Sequence, residues 1–158
     1  MDTRYGVAES RVVAADPERT FEAVLPAPLT GIFTHRFWVI PPIREVLDQP
    51  GTWGTVGQTR TIVLADGGRM HEELTAVQPG VGFEYRISQV SGPMKPVVSG
   101  AEGRWTFQPA PGGTRITWSW QIEPTRQGLR LMPVFGWFWR GYARRALAEI
   151  EDQLAAGD

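Results

Sequence analysis

Three side chains of this sequence, Arg60, Glu72 and Tyr85, are of types that together can move a proton and hold a negative charge. A carboxylate such as Glu72 can act as a general base, the Arg60 guanidinium can stabilise an anion, and the Tyr85 phenol can act as an acid. A reaction that passes through an enolate needs such a set. The same three groups could equally orient a bound molecule without reacting with it.

The expected positions of Arg60 and Glu72 follow from the alternation of side chains along a strand. Arg60 shares a face with Ile62 on one predicted strand, and Glu72 shares a face with Leu74 on the next. If these apolar residues face the core, both charged groups face it as well. Because a buried charge is costly unless it is paired, we expect Arg60 and Glu72 to pair with each other or with a polar group of a ligand.

A register shifted by one residue is the alternative, and it would invert each face of the sheet, so that His71 and Glu73 would be the inner pair. Neither His71 nor the other histidine, His35, belongs to a ligand-spaced cluster, and the chain has no cysteine. The sequence therefore predicts no metal site, no disulfide and no cofactor. The glycine-rich segment 51–57 superficially resembles a phosphate-binding loop. It lacks the closing Gly-Lys-Ser/Thr and a following helix, which favours a loop between two strands.

The composition indicates one domain over residues 1–158, with 42% hydrophobic residues and a net charge of −1. A chain of about 150 residues can bury roughly 68–70% of its unfolded surface. The arginines are scattered among acidic residues, so nucleic acid is not an expected partner. No signal-peptide pattern opens the chain, and no stretch approaches 18 uninterrupted apolar residues. We therefore expect a soluble, cytoplasmic protein without stable membrane insertion.

The elements that must position the candidate residues begin with a long helix over residues 132–154. An advance of about 100° per residue places one apolar stripe on this helix, made of Phe135, Trp139, Tyr142, Ala143, Ala146, Ile150 and Leu154. The opposite face carries one indole among charged residues, namely Trp137 with Arg140, Arg144 and Glu151. Gly136 and Gly141 either admit a close neighbour, a backbone or a ligand, or are merely tolerated. A proline at position 133 suits only a first turn, so residues 128–131 should form a separate turn or a kinked entry.

Seven strands are predicted ahead of this helix, over residues 7–15, 43–47, 57–65, 69–77, 83–90, 103–108 and 115–122. After the first strand, which we expect at a sheet edge, Asp16 caps a short helix, and a second short helix contains Leu29, Ile32 and Phe33. The strands alternate apolar and polar residues and are joined by turns such as 66–68, which is typical of an antiparallel sheet with one dry face. The fold class is therefore α+β, with a seven-stranded curved antiparallel sheet, two short helices after strand one and a long C-terminal helix that covers the sheet.

This order of elements is that of the helix-grip fold, and the sequence resembles the START-like (SRPBCC) superfamily of polyketide cyclase/dehydrase and lipid-transport domains. The superfamily includes relatives of the birch pollen allergen and plant hormone receptors. The resemblance covers nearly the whole chain and is carried by the motifs ADPERTF at 15–21, VGQTR at 56–60, DGG at 66–68, EEL at 72–74, FEYRI at 83–87, GRWTF at 103–107 and GTRITW at 113–118. Their order and spacing are specific for the fold and not for one activity.

The resemblance implies a hollow between the curved sheet and the last helix that can hold a hydrophobic molecule. Aromatic side chains supply apolar area with polar handles, although so many bulky rings could also fill the space. The expected ligand-binding residues are Arg60, Ile62, Glu72, Leu74, Tyr85, Gly103, Trp105, Trp118, Trp120, Phe135, Trp139 and Tyr142.

Two functions fit these expectations. The first is binding or transport of a lipid, a polyketide or an isoprenoid, and the second is aromatic polyketide cyclase or dehydratase activity. The sequence assigns no catalytic residues. It does not decide between a monomer and a homodimer. A weaker third interpretation is that Trp137, Arg140 and Arg144 touch a membrane surface while a lipid is exchanged.

Overall fold

Seven antiparallel strands form one curved sheet in the structure, a computed structural model that describes residues 4–157. The ends of the predicted domain, residues 1–3 and 158, lie outside the described residues. In chain order the strands are β1 (Tyr5–Val13), β2 (Ile43–Leu47), β3 (Thr59–Leu64), β4 (Arg69–Gln78), β5 (Gly82–Ser91), β6 (Val98–Ala110) and β7 (Gly113–Pro124). The order across the sheet is β1-β7-β6-β5-β4-β3-β2. Strands β2 to β7 therefore form a meander, and β1 lies at an edge as predicted.

The sequence prediction missed the first part of strand β6. The prediction began this strand at Gly103, but β6 begins at Val98 and pairs with β7 as far as Pro124. The register shifts between Val98 and Gly100. Such an irregularity interrupts the alternation of faces, so the period-two signal is clean only beyond it.

Two short helices follow β1 and cover one end of the sheet. Helix α1 (Pro17–Val24) begins as the sequence predicts, because the Asp16 carboxylate accepts a hydrogen bond from the Arg19 backbone N–H at 2.8 Å. Proline at the first helical position has no N–H to leave unpaired. Helix α2 (Leu29–Ile32) is a single turn that places Ile32 and the following Phe33 in the core.

The C-terminal helix α3 (Met132–Ala156) packs against β1 and lies beside α1 and α2. A separate 3₁₀ turn, Gly128–Leu131, precedes it. All seven residues of the predicted apolar stripe are buried. On the other side of the helix, Arg144 pairs with Glu9 at 3.3 Å and Glu151 pairs with Arg11 at 2.9 Å. These charged residues therefore fasten the helix to β1.

The two glycines of α3 are positions of close contact with side chains. A Cβ at Gly141 would overlap the ring of Phe37, and one at Gly136 would lie 3.0 Å from the Tyr5 ring. The neighbours are therefore neither another backbone nor a ligand. The chain between α2 and β2 lies against α3 through the Phe37 contact.

Candidate functional site

A pocket of about 70 Å³ lies between the sheet and helices α1 to α3. Its walls are largely apolar, and Arg60 from β3, Glu72 from β4 and Tyr85 from β5 reach it. Pockets that hold drug-sized ligands usually measure about 300–1,000 Å³. Rings fill most of the hollow between the sheet and α3, and the remaining space admits only a small guest unless side chains move.

Arg60 and Glu72 form a buried ion pair at one side of this pocket. They lie directly opposite each other on β3 and β4, and only 4% and 3% of their surfaces are exposed. Arg60 Nε donates to Glu72 Oε1 at 2.9 Å, and Arg60 Nη2 donates to Oε2 at 3.3 Å. The shifted register is wrong, because Glu73 is exposed and His71 is only half-buried.

Two further residues hold the Arg60 guanidinium, and neither was found from the sequence. Arg60 Nη1 donates to Gln49 Oε1 at 3.2 Å, and the guanidinium carbon lies 3.8 Å from the centre of the Trp53 ring. Trp53 is 1% exposed, so the cation lies against the face of a buried ring. Gln49 and Trp53 lie in the loop between β2 and β3. This loop has no periodicity from which an inward side chain could be predicted.

The same loop, residues 51–57, is organised around Gln58. Its side-chain Oε1 accepts from the backbone N–H groups of Gly54 and Thr55 at 2.8 and 2.7 Å, and its Nε2 donates to the Thr52 carbonyl at 3.0 Å. Two amides that a phosphate cradle would use are therefore engaged. The loop acts as a support for Trp53.

The electrostatic state of Glu72 follows from its burial. Desolvation raises the pKa of the Glu72 carboxyl above its ordinary value, and the attraction and hydrogen bonds of Arg60 oppose that rise. Both carboxylate oxygens accept hydrogen bonds from Arg60. Glu72 therefore has limited freedom to take a proton from a substrate.

Tyr85 lies in the same pocket but is directed toward indoles. Its hydroxyl oxygen accepts hydrogen bonds from Trp118 Nε1 and Trp120 Nε1, each at 2.7 Å. Among the described residues, no hydrogen bond joins it to Arg60 or Glu72. Its ring packs directly on Gly103, where a Cβ would overlap it. Burial raises the pKa of the Tyr85 hydroxyl, so the phenol is neutral at physiological pH.

Stacked aromatic rings make the wall between the sheet and α3. The ring centre of Trp118 lies 5.3 Å from that of Trp105 and 4.5 Å from that of Trp139. The ring of Phe33 stacks on that of Tyr142, with ring centres 5.6 Å apart. We call this group the aromatic wall: Phe33, Trp105, Trp118, Trp139 and Tyr142. These contacts join strands β6 and β7 to α2 and α3 through one continuous group of rings.

Two polar atoms in this aromatic wall have no hydrogen-bond partner within residues 4–157: Trp139 Nε1 and Tyr142 Oη. Trp139 is 2% exposed and Tyr142 is 7% exposed, and both side chains line the pocket. Burial raises the pKa of Tyr142 as well, so its hydroxyl keeps its proton. Two neutral hydrogen-bond donors with no acceptor in the described part of the protein therefore belong to side chains that line the pocket.

Ten of the twelve predicted site residues line the pocket: Arg60, Ile62, Glu72, Tyr85, Trp105, Trp118, Trp120, Phe135, Trp139 and Tyr142. Leu74 and Gly103 are buried but do not line it. The sequence prediction missed lining residues from α1, α2 and the following segment, including Phe33 and Ile40. The helical spacing identified Phe33 as an inward residue, but nothing local indicated what it would face.

Within residues 4–157 there is no group of three or more histidine, cysteine, aspartate or glutamate side chains that could hold a metal ion. No helix of the described chain is long and apolar enough to cross a membrane.

Comparisons with known proteins agree with this fold. Residues 5–155 match the family model described as polyketide cyclase / dehydrase and lipid transport. No curated protein matches the sequence. Similar solved structures include TTHA0849 from Thermus thermophilus, with 18% identity, a TM-score of 0.70 and coverage of 98% of this chain and 99% of that chain. Major latex-like protein 151 from Panax ginseng has 14% identity and a TM-score of 0.70, with 95% and 97% covered.

DynU16, a protein of the dynemicin biosynthetic locus, has 19% identity and a TM-score of 0.61, with 92% of this chain and 47% of that chain covered. At such identities these structural likenesses establish the fold alone. The family match establishes more than the fold. It extends from β1 into the last turns of α3 and includes every element that lines the pocket. This chain therefore belongs to the polyketide cyclase / dehydrase and lipid transport family of the START-like superfamily.

Proposed function

We propose that the protein binds and carries a hydrophobic small molecule, such as a lipid, a polyketide or an isoprenoid, that has at least one oxygen able to accept hydrogen bonds. The observation that carries this proposal is the pair of unpartnered donors, Trp139 Nε1 and Tyr142 Oη, in an otherwise apolar wall. A buried donor without an acceptor costs about 1–3 kcal/mol. A carbonyl or ether oxygen of a ligand would remove that cost, whereas a pure hydrocarbon would not.

The charged side of the pocket supports binding rather than turnover. Arg60 and Glu72 satisfy each other through two hydrogen bonds, and Gln49 and Trp53 hold the guanidinium from the other side. A pair held in this way presents a fixed polar end to a ligand. Its groups are not free to exchange protons with one.

The volume of the pocket limits which ligands can enter without a movement of side chains. A volume of about 70 Å³ is well below the usual range for ligand sites of roughly 300–1,000 Å³. A molecule with more than a few carbon atoms therefore enters only if rings such as Phe33 and Tyr142, which stack on each other, move apart.

A direct test compares two small guests of the same shape, cyclohexanone and methylenecyclohexane, by NMR titration. The ketone should bind more tightly than the hydrocarbon, by roughly 2- to 10-fold for one net hydrogen bond. Tyr142→Phe and Trp139→Phe should each reduce this preference, whereas Phe135→Leu, which removes no donor, should leave it. Equal binding of both guests to the wild-type protein would contradict the proposed acceptor.

The natural guest is sought by native mass spectrometry of the protein purified from its own cells, followed by solvent extraction. A co-purified apolar compound that contains oxygen supports the carrier. Its absence, together with turnover of a poly-β-keto substrate, supports the cyclase or dehydratase. One observation favours that second function, namely a buried carboxyl with a raised pKa beside a cation. Under it, Glu72→Gln abolishes turnover.

A further inference from the structure

An exposed apolar surface lies next to the pocket and is formed by two separate segments. We call it the aromatic patch: Phe37, Trp38, Val39, Val134, Trp137 and Phe138. Trp38 is 67% exposed and Val39 64%, while Val134 and Trp137 on α3 are 54% and 50% exposed. Ring contacts of 5.4 to 6.2 Å connect its four aromatic members. Contiguous exposed apolar surface of this kind marks an interaction site.

The first segment is a tight turn that points its apolar residues outward. Phe37 and Ile40 exchange two backbone hydrogen bonds of 3.0 Å, which leaves Trp38 and Val39 at the tip. Trp38 has a φ of 54°, in the left-handed region that a bulky residue rarely adopts. Backbone strain of this kind persists where the surroundings hold it, and it is concentrated at functional sites. Folding therefore keeps a tryptophan in solvent at a conformational cost.

Arginines outnumber acidic residues in the segments that carry the patch, and the Glu149 carboxylate lies 3.9 Å from His35, two residues before Phe37. Residues 124–148 contain five arginines and no acidic residue, and residues 23–44 contain two arginines and no acidic residue. Arg36 precedes Phe37, Arg140 lies one helical turn from Trp137 on α3, and Arg130 lies in the 3₁₀ turn that precedes α3. Within residues 4–157 the structure gives none of these three arginines a salt bridge. Arg144, which the sequence analysis placed in such a surface, is paired with Glu9 instead.

We propose that the aromatic patch docks the protein reversibly on a lipid surface that carries anionic headgroups. Tryptophan is favoured at the boundary between acyl chains and headgroups. Each arginine near an anionic surface contributes about 1 kcal/mol of attraction. A second copy of this chain is a poorer occupant, because a symmetric contact would bring the same unpaired arginines against each other.

Docking in this orientation would place the pocket near the lipid. Ile40, which pairs with Phe37 below the tip, lines the pocket, and so does Tyr142, next to the glycine on which Phe37 packs. A ligand could then pass between the membrane and the pocket over a short distance. The docking itself does not rest on the proposed function, and its test needs no ligand.

The test is flotation of the wild-type protein with vesicles of phosphatidylcholine alone and of phosphatidylcholine with 30% phosphatidylglycerol, at low and high salt. The protein should float with the anionic vesicles, and high salt should weaken binding. The double substitution Trp38→Asn/Val39→Ser should reduce partitioning roughly tenfold, since asparagine tolerates the left-handed backbone. Arg130→Gln/Arg140→Gln should reduce both the partitioning and its salt dependence.

The matched control is Val56→Ser/Val81→Ser, which removes two exposed valines outside the patch, 55% and 46% exposed, and should leave binding unchanged. Circular dichroism establishes that each variant is folded. Failure of the wild-type protein to float with anionic vesicles would overturn the proposal, as would equal binding by the Trp38→Asn/Val39→Ser variant. A dimer in sedimentation that this variant converts to a monomer would assign the patch to a second copy.

Discussion

Trp137 and Trp139 lie two residues apart on one helix and have opposite surroundings. Trp139 is 2% exposed and packs with Trp118 at 4.5 Å, as part of the aromatic wall of the pocket. Trp137 is 50% exposed and contacts Phe37 and Trp38, in the aromatic patch. An advance of about 100° per residue puts them on opposite sides of the helix. The same residue type is therefore packed among buried rings in one case and forms a surface contact in the other.

The two surroundings differ in how the polar atoms of the rings are satisfied. Inside, the polar atoms of rings are either paired, as in the bonds of Trp118 and Trp120 to Tyr85, or unpartnered and buried, as in Trp139 and Tyr142. Outside, polar atoms of the rings can bond to water. Substitutions in the aromatic wall should therefore change stability and ligand preference, whereas those in the patch should change association alone.

The largest effect is expected from removal of the indoles themselves. Trp139→Ala should lower the free energy of unfolding by about 3–5 kcal/mol, because it empties a site among packed rings. Trp137→Ala should change the free energy of unfolding by less than about 0.5 kcal/mol. Urea denaturation followed by circular dichroism measures both. Similar losses for the two variants would contradict the contrast between wall and patch.

The second comparison is between two buried tyrosines. Tyr85→Phe removes the acceptor of two indole N–H groups and should cost about 1–3 kcal/mol for each donor left unpaired. Tyr142→Phe removes a hydroxyl without a partner, so it should leave stability unchanged or slightly higher. Both variants keep the ring, and chemical denaturation of each tests the assignment. A larger loss for Tyr142→Phe would show that its hydroxyl is bonded in the unliganded protein.

The third prediction concerns the pH dependence that Glu72 contributes. Because burial raises its pKa in the folded state, the folded protein takes up this proton at a higher pH than the unfolded chain. This contribution to the free energy of unfolding should therefore be largest below the ordinary glutamate pKa. It should fall as pH rises through the folded pKa, by about 1.4 kcal/mol for each unit of the rise.

Carbon-13 NMR of the Glu72 carboxyl measures its pKa directly, and Glu72→Gln should remove the corresponding part of the pH dependence. A carboxyl that titrates at or below its ordinary value would show that the attraction of Arg60 exceeds the cost of burial.

A small net effect on stability is expected at the junction between wall and patch. Gly141→Ala gains about 1 kcal/mol of helix propensity but pushes the Phe37 ring from its place, so we expect the two effects to cancel to within about 1 kcal/mol. The change should appear instead in the NMR signals of Phe37 and Trp38. Gly136→Ala, whose neighbour is the Tyr5 ring at 3.0 Å, serves as the control and should leave those signals in place.

Much of the fold followed from periodicity. Alternation along β3 and β4 predicted that Arg60 and Glu72 face inward, with His71 and Glu73 as the alternative, and the helical period gave the buried stripe of α3, because each pattern reports which side of one element is dry. Bounds were less accurate where the pattern was interrupted, as at the register shift in β6. Leu74 and Gly103 were expected at the ligand and are buried without lining the pocket. The alternation of side chains along a strand shows which residues are buried. It does not show which buried residues line the pocket.

The amino-acid sequence alone determined the order of elements and the family resemblance, and it reduced the inward pair to two alternatives, Arg60 with Glu72 or His71 with Glu73, since these depend on local patterns and on side chains opposite each other in a hairpin. Only the tertiary structure decided that Trp53 and Gln49 hold Arg60, that Tyr85 bonds to two indoles, and that Trp38 meets Trp137. These partners come from loops or from elements far apart in the chain. Their contacts arise when the sheet curves and α3 docks, and no local period carries that information.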